Sequence, residues 1–435
     1  MRPPSTLTTI PKKALLLLVL MPILFHAQSK LASKTRKETV NNISRLLLDN
    51  YVFPGTAEKM SALITAKLKD GGYNGISDPV ALSNALTLDL YSVYHDRHLM
   101  VRYFPPQPVP TAPAVTDESQ EDPMERLRRA NFGLQRAEVL PGNIGYLHIT
   151  NFWADDAEGR ETLKAALQFL ANADALIIDV RNCGGGSQET VRLLCGYFLD
   201  RPTHINSMYD RPANTTLDYI AIPDPSFTKM VDKPLHILTS SKTFSAAEEF
   251  CYDLQNLKRA IIVGEATGGG AHGTFEQDAG NGFVISIPYS RAINPVSQSN
   301  WEGTGVQPHI VTTADAALET AEMQILDDVL AKTTDKGERF RLNWDRELLK
   351  AANNPITTDS AALQKFAGVY GERTVTFENG KLFYQRAGRP KFEMEAMSGT
   401  MMKPKGNNYF KVEFKEDSLT AYYQDNRVET DVRTK

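Results

Sequence analysis

The sequence predicts an α/β protein with a helical segment ahead of its core and an antiparallel β segment behind it. Three observations predict this class. Between Val40 and Leu90 apolar residues recur at helical spacing, whereas between Ile144 and Gly264 short apolar runs of strand length alternate with helix-like runs. From about Gln364 onward apolar and polar residues alternate around turns, the pattern of antiparallel strands. A chain of 435 residues with 42% hydrophobic content has room for two or three globular domains, because single cores seldom grow past about 250 to 300 residues.

Arg2, Lys12 and Lys13 precede the apolar run "ALLLLVLMPILF", and small or polar residues follow near Ala27 to Ser29, so residues 1–29 read as an export signal. The run is short of the roughly 20 residues that span a bilayer. A retained anchor is the alternative, since the cleavage site is not a clean A-x-A. No cysteine follows that would take a lipid.

Residues 30–103 read as a helical domain. Its periodic runs are Val40, Ile43, Leu46 and Leu47, then Met60, Leu63, Ile64 and Leu68, then Leu82, Leu86 and Leu90. "FPG" at Phe53 and "GGYNG" at Gly71 separate them, and Ser77-Asp78-Pro79 supplies cap residues for the third. Residues 104–132 read as a proline-rich linker, too polar to offset the entropy of ordering.

An α/β domain is expected over 133–350. "IGYLHIT" from Ile144, "ALIIDV" from Ala175, "LHILT" from Leu235 and "AIIVG" from Ala260 are strands, with helices between them and a helical passage after Ala314. Such alternation implies parallel pairing, and sites in these sheets lie at the carboxyl ends of the strands. Residues 360–435 form a small appended β-domain with turns at Asn379-Gly380 and Gly406-Asn407.

Composition excludes several functions. A formal charge of −4, a pI near 6.1 and the lack of a long basic stripe argue against a nucleic-acid partner. Cys183, Cys195 and Cys251 are too few for a disulfide framework and read as buried free thiols. No CxxC or HxxxH spacing is present, which argues against a zinc site.

The chemistry concentrates in three stretches and three candidate histidines. In "TSSKTFSAAEEF" Ser245 and Glu248 spell a capping box, yet a strand, a sharp turn and a serine at the mouth of a helix also expose a nucleophile beside free N–H groups. Cap and nucleophile predict the same backbone. A serine needs a base, and of eight histidines the candidates are His95, His98 and His272, each of which could equally be a surface residue. "IDVRNCGGG" is either a flexible turn or a source of N–H donors for an oxyanion. Neither GxGxxG nor GxxxxGK[ST] is spelled there, so a phosphate loop is not indicated. "SNWEGTGVQPHI" carries Glu302, a solvated turn carboxylate or one that orients an imidazole.

Taken in order, "NYVFPG", "ISDPVALSNALT", "HDRHLMVRY", "IIDVRNCGGG", "TSSKTFSAAEEF", "GEATGGGAH" and "NWEGTGVQP" resemble the serine peptidase family of tricorn protease and the C-terminal-processing (tail-specific) proteases. They are most similar to the branch of the interphotoreceptor retinoid-binding protein repeats. The resemblance runs from about Val40 to about Ala314 and implies a ClpP/crotonase-like α/β core. It also implies Ser245 as nucleophile, His98 as general base and Glu302 as distal carboxylate, with an oxyanion hole from Gly185 or Gly186 and the N–H of Ala246. His272 is the alternative base. The Ser-Lys dyad of the tail-specific branch is disfavoured, because no lysine occurs between Lys258 and Lys332. Arg97 stands where the tricorn-type tetrad has a second serine, and no PDZ-like stretch is visible between Tyr103 and Val139.

The expectation is an exported serine endopeptidase, periplasmic or secreted, acting on protein or peptide substrates without metal or organic cofactor. It would have no stable membrane insertion once its signal is removed. A binding protein for retinoid-like or other apolar ligands is the rival reading. An esterase would use the same residues.

Overall fold

The computed structural model describes residues 31–105, 122–227, 230–357 and 359–434. The expected export signal therefore lies outside the described residues. Three helices form where periodicity placed them: α1 (Ser33–Asn50), α2 (Pro54–Lys69) and α3 (Pro79–Val93). Pro54 and Pro79 sit in first turns, where a missing N–H costs nothing, and the Asp78 carboxylate takes the Ala81 N–H at 2.8 Å. Their apolar faces bury Val40, Ile43, Leu47, Ile64, Leu82, Leu86 and Leu90 completely.

These helices do not close a core among themselves. Ala279, Phe283, Ile285 and Ile287, far along the chain, complete the same cluster. A strand after α3, β1 (Met100–Tyr103), pairs with that later segment. Of the stretch expected to be linker, 106–121 lie outside the described residues, while Pro123–Arg129 form α4, capped by Asp122 on the Met124 N–H at 3.0 Å. The end of that stretch thus carries a short helix, started by Asp122 and Pro123.

The α/β core follows as β2 (Leu134–Leu140), β3 (Ile144–Ile149), α5 (Ala157–Phe169), β4 (Ala175–Asp179), α6 (Gln188–Gly196), β5 (Thr203–Asp210), β6 (Thr215–Ala221), β7 (Leu235–Thr239), α7 (Ala246–Asn256), β8 (Ile261–Gly264), β9 (His272–Gly280), β10 (Phe283–Ile293) and β11 (Ile310–Val311). One sheet has the order β11-β8-β7-β4-β3-β2, parallel except for the β2–β3 pair. A second, antiparallel sheet runs β1-β10-β5-β6, with β9 on the other edge of β10. β10 is long enough to hold β1 at its start and β5 at its end. That strand, with β9 beside it, joins the N-terminal helices to the core.

The helical passage splits into α8 (Ala317–Lys332) and α9 (Lys336–Asn353), since Asp335 starts a new helix by accepting the Glu338 N–H at 2.8 Å. After α10 (Ser360–Gln364) come eight antiparallel strands in chain order, from Gly368–Tyr370 to Val428–Val432. A bridge between Tyr370 and Arg433, with the Thr434 N–H on the Val369 carbonyl, brings the end of this sheet back to its start, as in a small up-and-down barrel. Trp344 of α9 donates to the Asn408 carbonyl at 3.0 Å and holds it to the core. No helix among the described residues is long and apolar enough to cross a membrane.

Candidate active site

β7 is buried throughout and delivers the chain to a tight turn. Thr243 ties that turn down by donating to the Val180 carbonyl at 2.8 Å, and Phe244 N–H reaches the Cys183 carbonyl at 3.0 Å. Ser245 then takes φ 57° and ψ −125° immediately before α7. A non-glycine residue there is strained, and such strain persists only where the surroundings over-determine it. Here they do. Glu248, fully buried, accepts the N–H groups of Ser245 (2.9 Å), Gly269 (2.6 Å) and Gly270 (2.8 Å) together with the Thr267 hydroxyl. The glutamate half of the capping box thus reaches past the helix and staples the glycine loop 268–270 beside the serine.

That loop carries the next layer. A Cβ on Gly270 would stand 2.4 Å from Phe244 Cζ and 2.5 Å from His98 Cε1, so only glycine lets both rings close on it. The His98 and Phe244 ring centroids are 4.6 Å apart. His98, from the turn between α3 and β1, therefore lies over the residue preceding Ser245, and both His98 and Ser245 line one cavity of about 500 Å³. Burial, the largest influence, pulls the His98 pKa down to about 4, against an upward pull from Asp96.

Around His98 lies a buried polar cluster. Asp96 is fully buried; its Oδ1 takes the His98 backbone N–H at 3.0 Å, and its Oδ2 takes His272 Nδ1 at 2.6 Å and the Tyr51 hydroxyl at 3.2 Å. Glu302 Oε2 accepts the Ala271 N–H at 2.6 Å and is 3.5 Å from His272 Nδ1. Burial raises the Glu302 pKa to about 7, with His272 lowering it and Asp96 raising it. Three buried atoms of the cluster have no partner among the described residues: His98 Nδ1, His272 Nε2 and Glu302 Oε1.

Donor atoms of Asp96, His98 and Glu302 lie within 4.8 Å of one another. Both Asp96 oxygens are already engaged, which leaves one imidazole and one carboxylate with spare valence. Two free donors suit a direct imidazole–carboxylate contact better than a four-coordinate metal ion.

The glycine turn after β4 approaches from the other side. A Cβ on Gly185 would come within 2.8 Å of Ser245 Cβ. The Gly185 N–H is turned to the Cys183 thiol, whose pKa burial pushes up to about 12. The N–H groups of Gly186 and Ala246 find no acceptor among the described residues and flank the cavity with Ser245. Met208, Leu217 and Tyr219 of the β5–β6 hairpin, with Trp301, give the cavity an apolar wall. All three cysteines are buried free thiols.

Residues 143–312 match the model of peptidase family S41, and residues 25–133 match that of the N-terminal domain of peptidase S41 in eukaryotic IRBP. The chain belongs to the S41 peptidases. It is 27% identical over 158 residues to carboxyl-terminal-processing peptidase 2, chloroplastic, of Arabidopsis thaliana, a match covering 34% of this chain and 29% of that protein. It is 28% identical over 156 residues to the tail-specific protease of Haemophilus influenzae, covering 35% and 21%. Matches to curated relatives span between 21 and 48% of their lengths. Among solved structures, the photosystem II D1 C-terminal processing protease superposes with a TM-score of 0.42 at 14% identity, covering 65% of this chain and 94% of that one.

Within this S41 frame the expected residues converge: Ser245, His98, Gly186, Ala246 and His272 line one cavity, and Glu302 lies behind it. Arg97 does not enter the cluster; it donates to the Gly268 carbonyl at 2.8 Å and covers the Phe244 ring. Sequence reasoning missed Asp96 and Tyr51, although both sit inside segments quoted for the resemblance. An aspartate two residues before a candidate histidine was the available signal.

Proposed function

We propose that the protein is an exported serine endopeptidase in which Ser245 attacks a peptide carbonyl, His98 removes its proton and later protonates the leaving amine, and Glu302 orients the imidazole and stabilises the imidazolium that forms. The observation that carries this is one cavity in which a serine on a strained strand-to-helix turn, an imidazole and two unclaimed backbone N–H groups meet. His98 is neutral near pH 7 because burial depresses its pKa, so it is in the form that accepts a proton. The N–H groups of Gly186 and Ala246 would hold the tetrahedral oxyanion, where losing one donor costs on the order of 100 to 1000-fold in rate. The relatives named as carboxyl-terminal-processing and tail-specific proteases support a protein or peptide substrate. The amino-terminal charge and apolar run support export.

The test is cleavage of an unfolded protein by wild type and by Ser245→Ala. New fragment termini with wild type and none with the variant support the peptidase. Wild type that leaves protein and ester substrates intact at every pH while binding an apolar ligand would establish the binding-protein reading instead.

A further inference from the structure

Arg97, next to His98 in the chain, turns away to the Gly268 carbonyl and the Phe244 ring, so the link that fixes Glu302 beside His98 comes from another residue. We infer that His272, clamped by Asp96 and Tyr51, is a positioning residue that supplies this link by holding the Glu302 carboxylate in place next to His98. The inference rests on the reading of Ser245, His98 and Glu302 given above.

The geometry is specific. His272 and Asp96 side chains are both fully excluded from solvent, with Nδ1 to Oδ2 at 2.6 Å, which makes Nδ1 the proton-bearing nitrogen. The same Nδ1 lies 3.5 Å from Glu302 Oε2, so the imidazole stands between two carboxylates that would otherwise face each other. Asp96 also takes the backbone N–H of His98, so one aspartate fixes both rings. The Phe53 ring packs edge-on against His272 with centroids 5.5 Å apart, and Tyr51 reaches Asp96; both come from the "NYVFPG" turn after α1.

The groups that face Glu302 come from five elements: Asp96 and His98 from the loop before β1, His272 from β9, Tyr51 from the end of α1, Tyr94 from the end of α3 and Glu248 from α7. Of these, His272 is the one that favours the ionised carboxylate, while burial, Asp96 and Glu248 oppose it. Removing His272 therefore pushes the ionisation of Glu302 to higher pH. His272 has its Nδ1 committed to Asp96, whereas His98 Nδ1 has no partner among the described residues, and a ring nitrogen of His98 and a carboxylate oxygen of Glu302 lie within 4.8 Å of each other.

The experiment compares wild type, His272→Gln, Glu302→Gln, the double variant and His98→Gln, by kcat and KM on an unfolded protein between pH 5.5 and 9. His272→Gln should move the acid limb of kcat upward by about one unit, a loss of about tenfold at pH 6 that shrinks to under about twofold at pH 9, with KM nearly unchanged. The double variant should be no worse than Glu302→Gln, because His272 acts through Glu302. His272→Asn carries the same comparison if the Gln variant fails to fold by circular dichroism. A pH-independent loss, or a double variant well below Glu302→Gln, overturns the inference. If His272→Gln is as inert as Ser245→Ala while His98→Gln retains turnover, His272 is the base and the link is refuted, although the serine peptidase reading survives.

Discussion

At the scale of single residues, Ser245 does two things that sequence reasoning first set against each other. It opens α7, and on its strained backbone it lines the cavity. Ser245→Ala should therefore cost at most about 1 kcal/mol of stability, the worth of a lost cap, while lowering turnover by several orders of magnitude, up to about a millionfold; thermal melts and single-turnover assays measure the two separately. The pH profile follows from Glu302 rather than His98. His98 is deprotonated above about pH 4, but Glu302 becomes charged only near pH 7, so kcat/KM should climb through about pH 7. In Glu302→Gln that limb should vanish and the rate fall on the order of 100 to 10,000-fold. The motifs that carry Ser245, His98 and Glu302 were legible because their order along the chain is informative. Asp96 and Tyr51 were not, since their role depends on a contact between segments 176 residues apart, Asp96 to His272.

At the scale of elements, the periodic helices and the buried parallel strands were read correctly because their signal is local: "ALIIDV" and "LHILT" are continuous apolar runs bounded by turns. The second sheet was not. β5, β6, β9 and β10 alternate or mix polar residues, and β6 is exposed over most of its length, so no apolar run announces them. They matter for the site, since the β5–β6 hairpin makes one wall of the cavity. The glycine loop was seen, but its reason was not: Gly270→Ala would drive a methyl group into Phe244 and His98. That variant should fold yet lose at least about tenfold in kcat, in line with the cost of about 1 Å of misplacement. Glu248→Gln should be worse for stability, because a neutral amide cannot accept from three N–H groups and a hydroxyl at once. A loss of about 2 to 4 kcal/mol in urea unfolding is expected.

At the scale of the whole molecule, the candidate site is assembled where α1–α3 pack on β9 and β10 of the core. A chain reading of domains in series conceals this, since His98 and Ser245 lie on opposite sides of the proline-rich stretch. Buried carboxyls also set how the whole fold responds to pH. Glu322 of α8, raised by burial to about 7, keeps its proton when folded after an unfolded glutamate has lost it at about 4.5. Stability should therefore decline as pH rises between these values, by at most about 3 kcal/mol from this group, and Glu322→Gln should raise the melting temperature by a few degrees at pH 8 but not at pH 4. The central claim, that Ser245 is a nucleophile served by His98 from the N-terminal helices, meets its most direct test in intact-mass and peptide mapping after a serine-directed phosphonate. The account predicts one adduct, on the peptide carrying Ser245, forming faster as pH rises through about 7 and nearly absent in His98→Gln. Wild type that stays unlabelled at every pH, or labels Ser245 equally fast without His98, would contradict it.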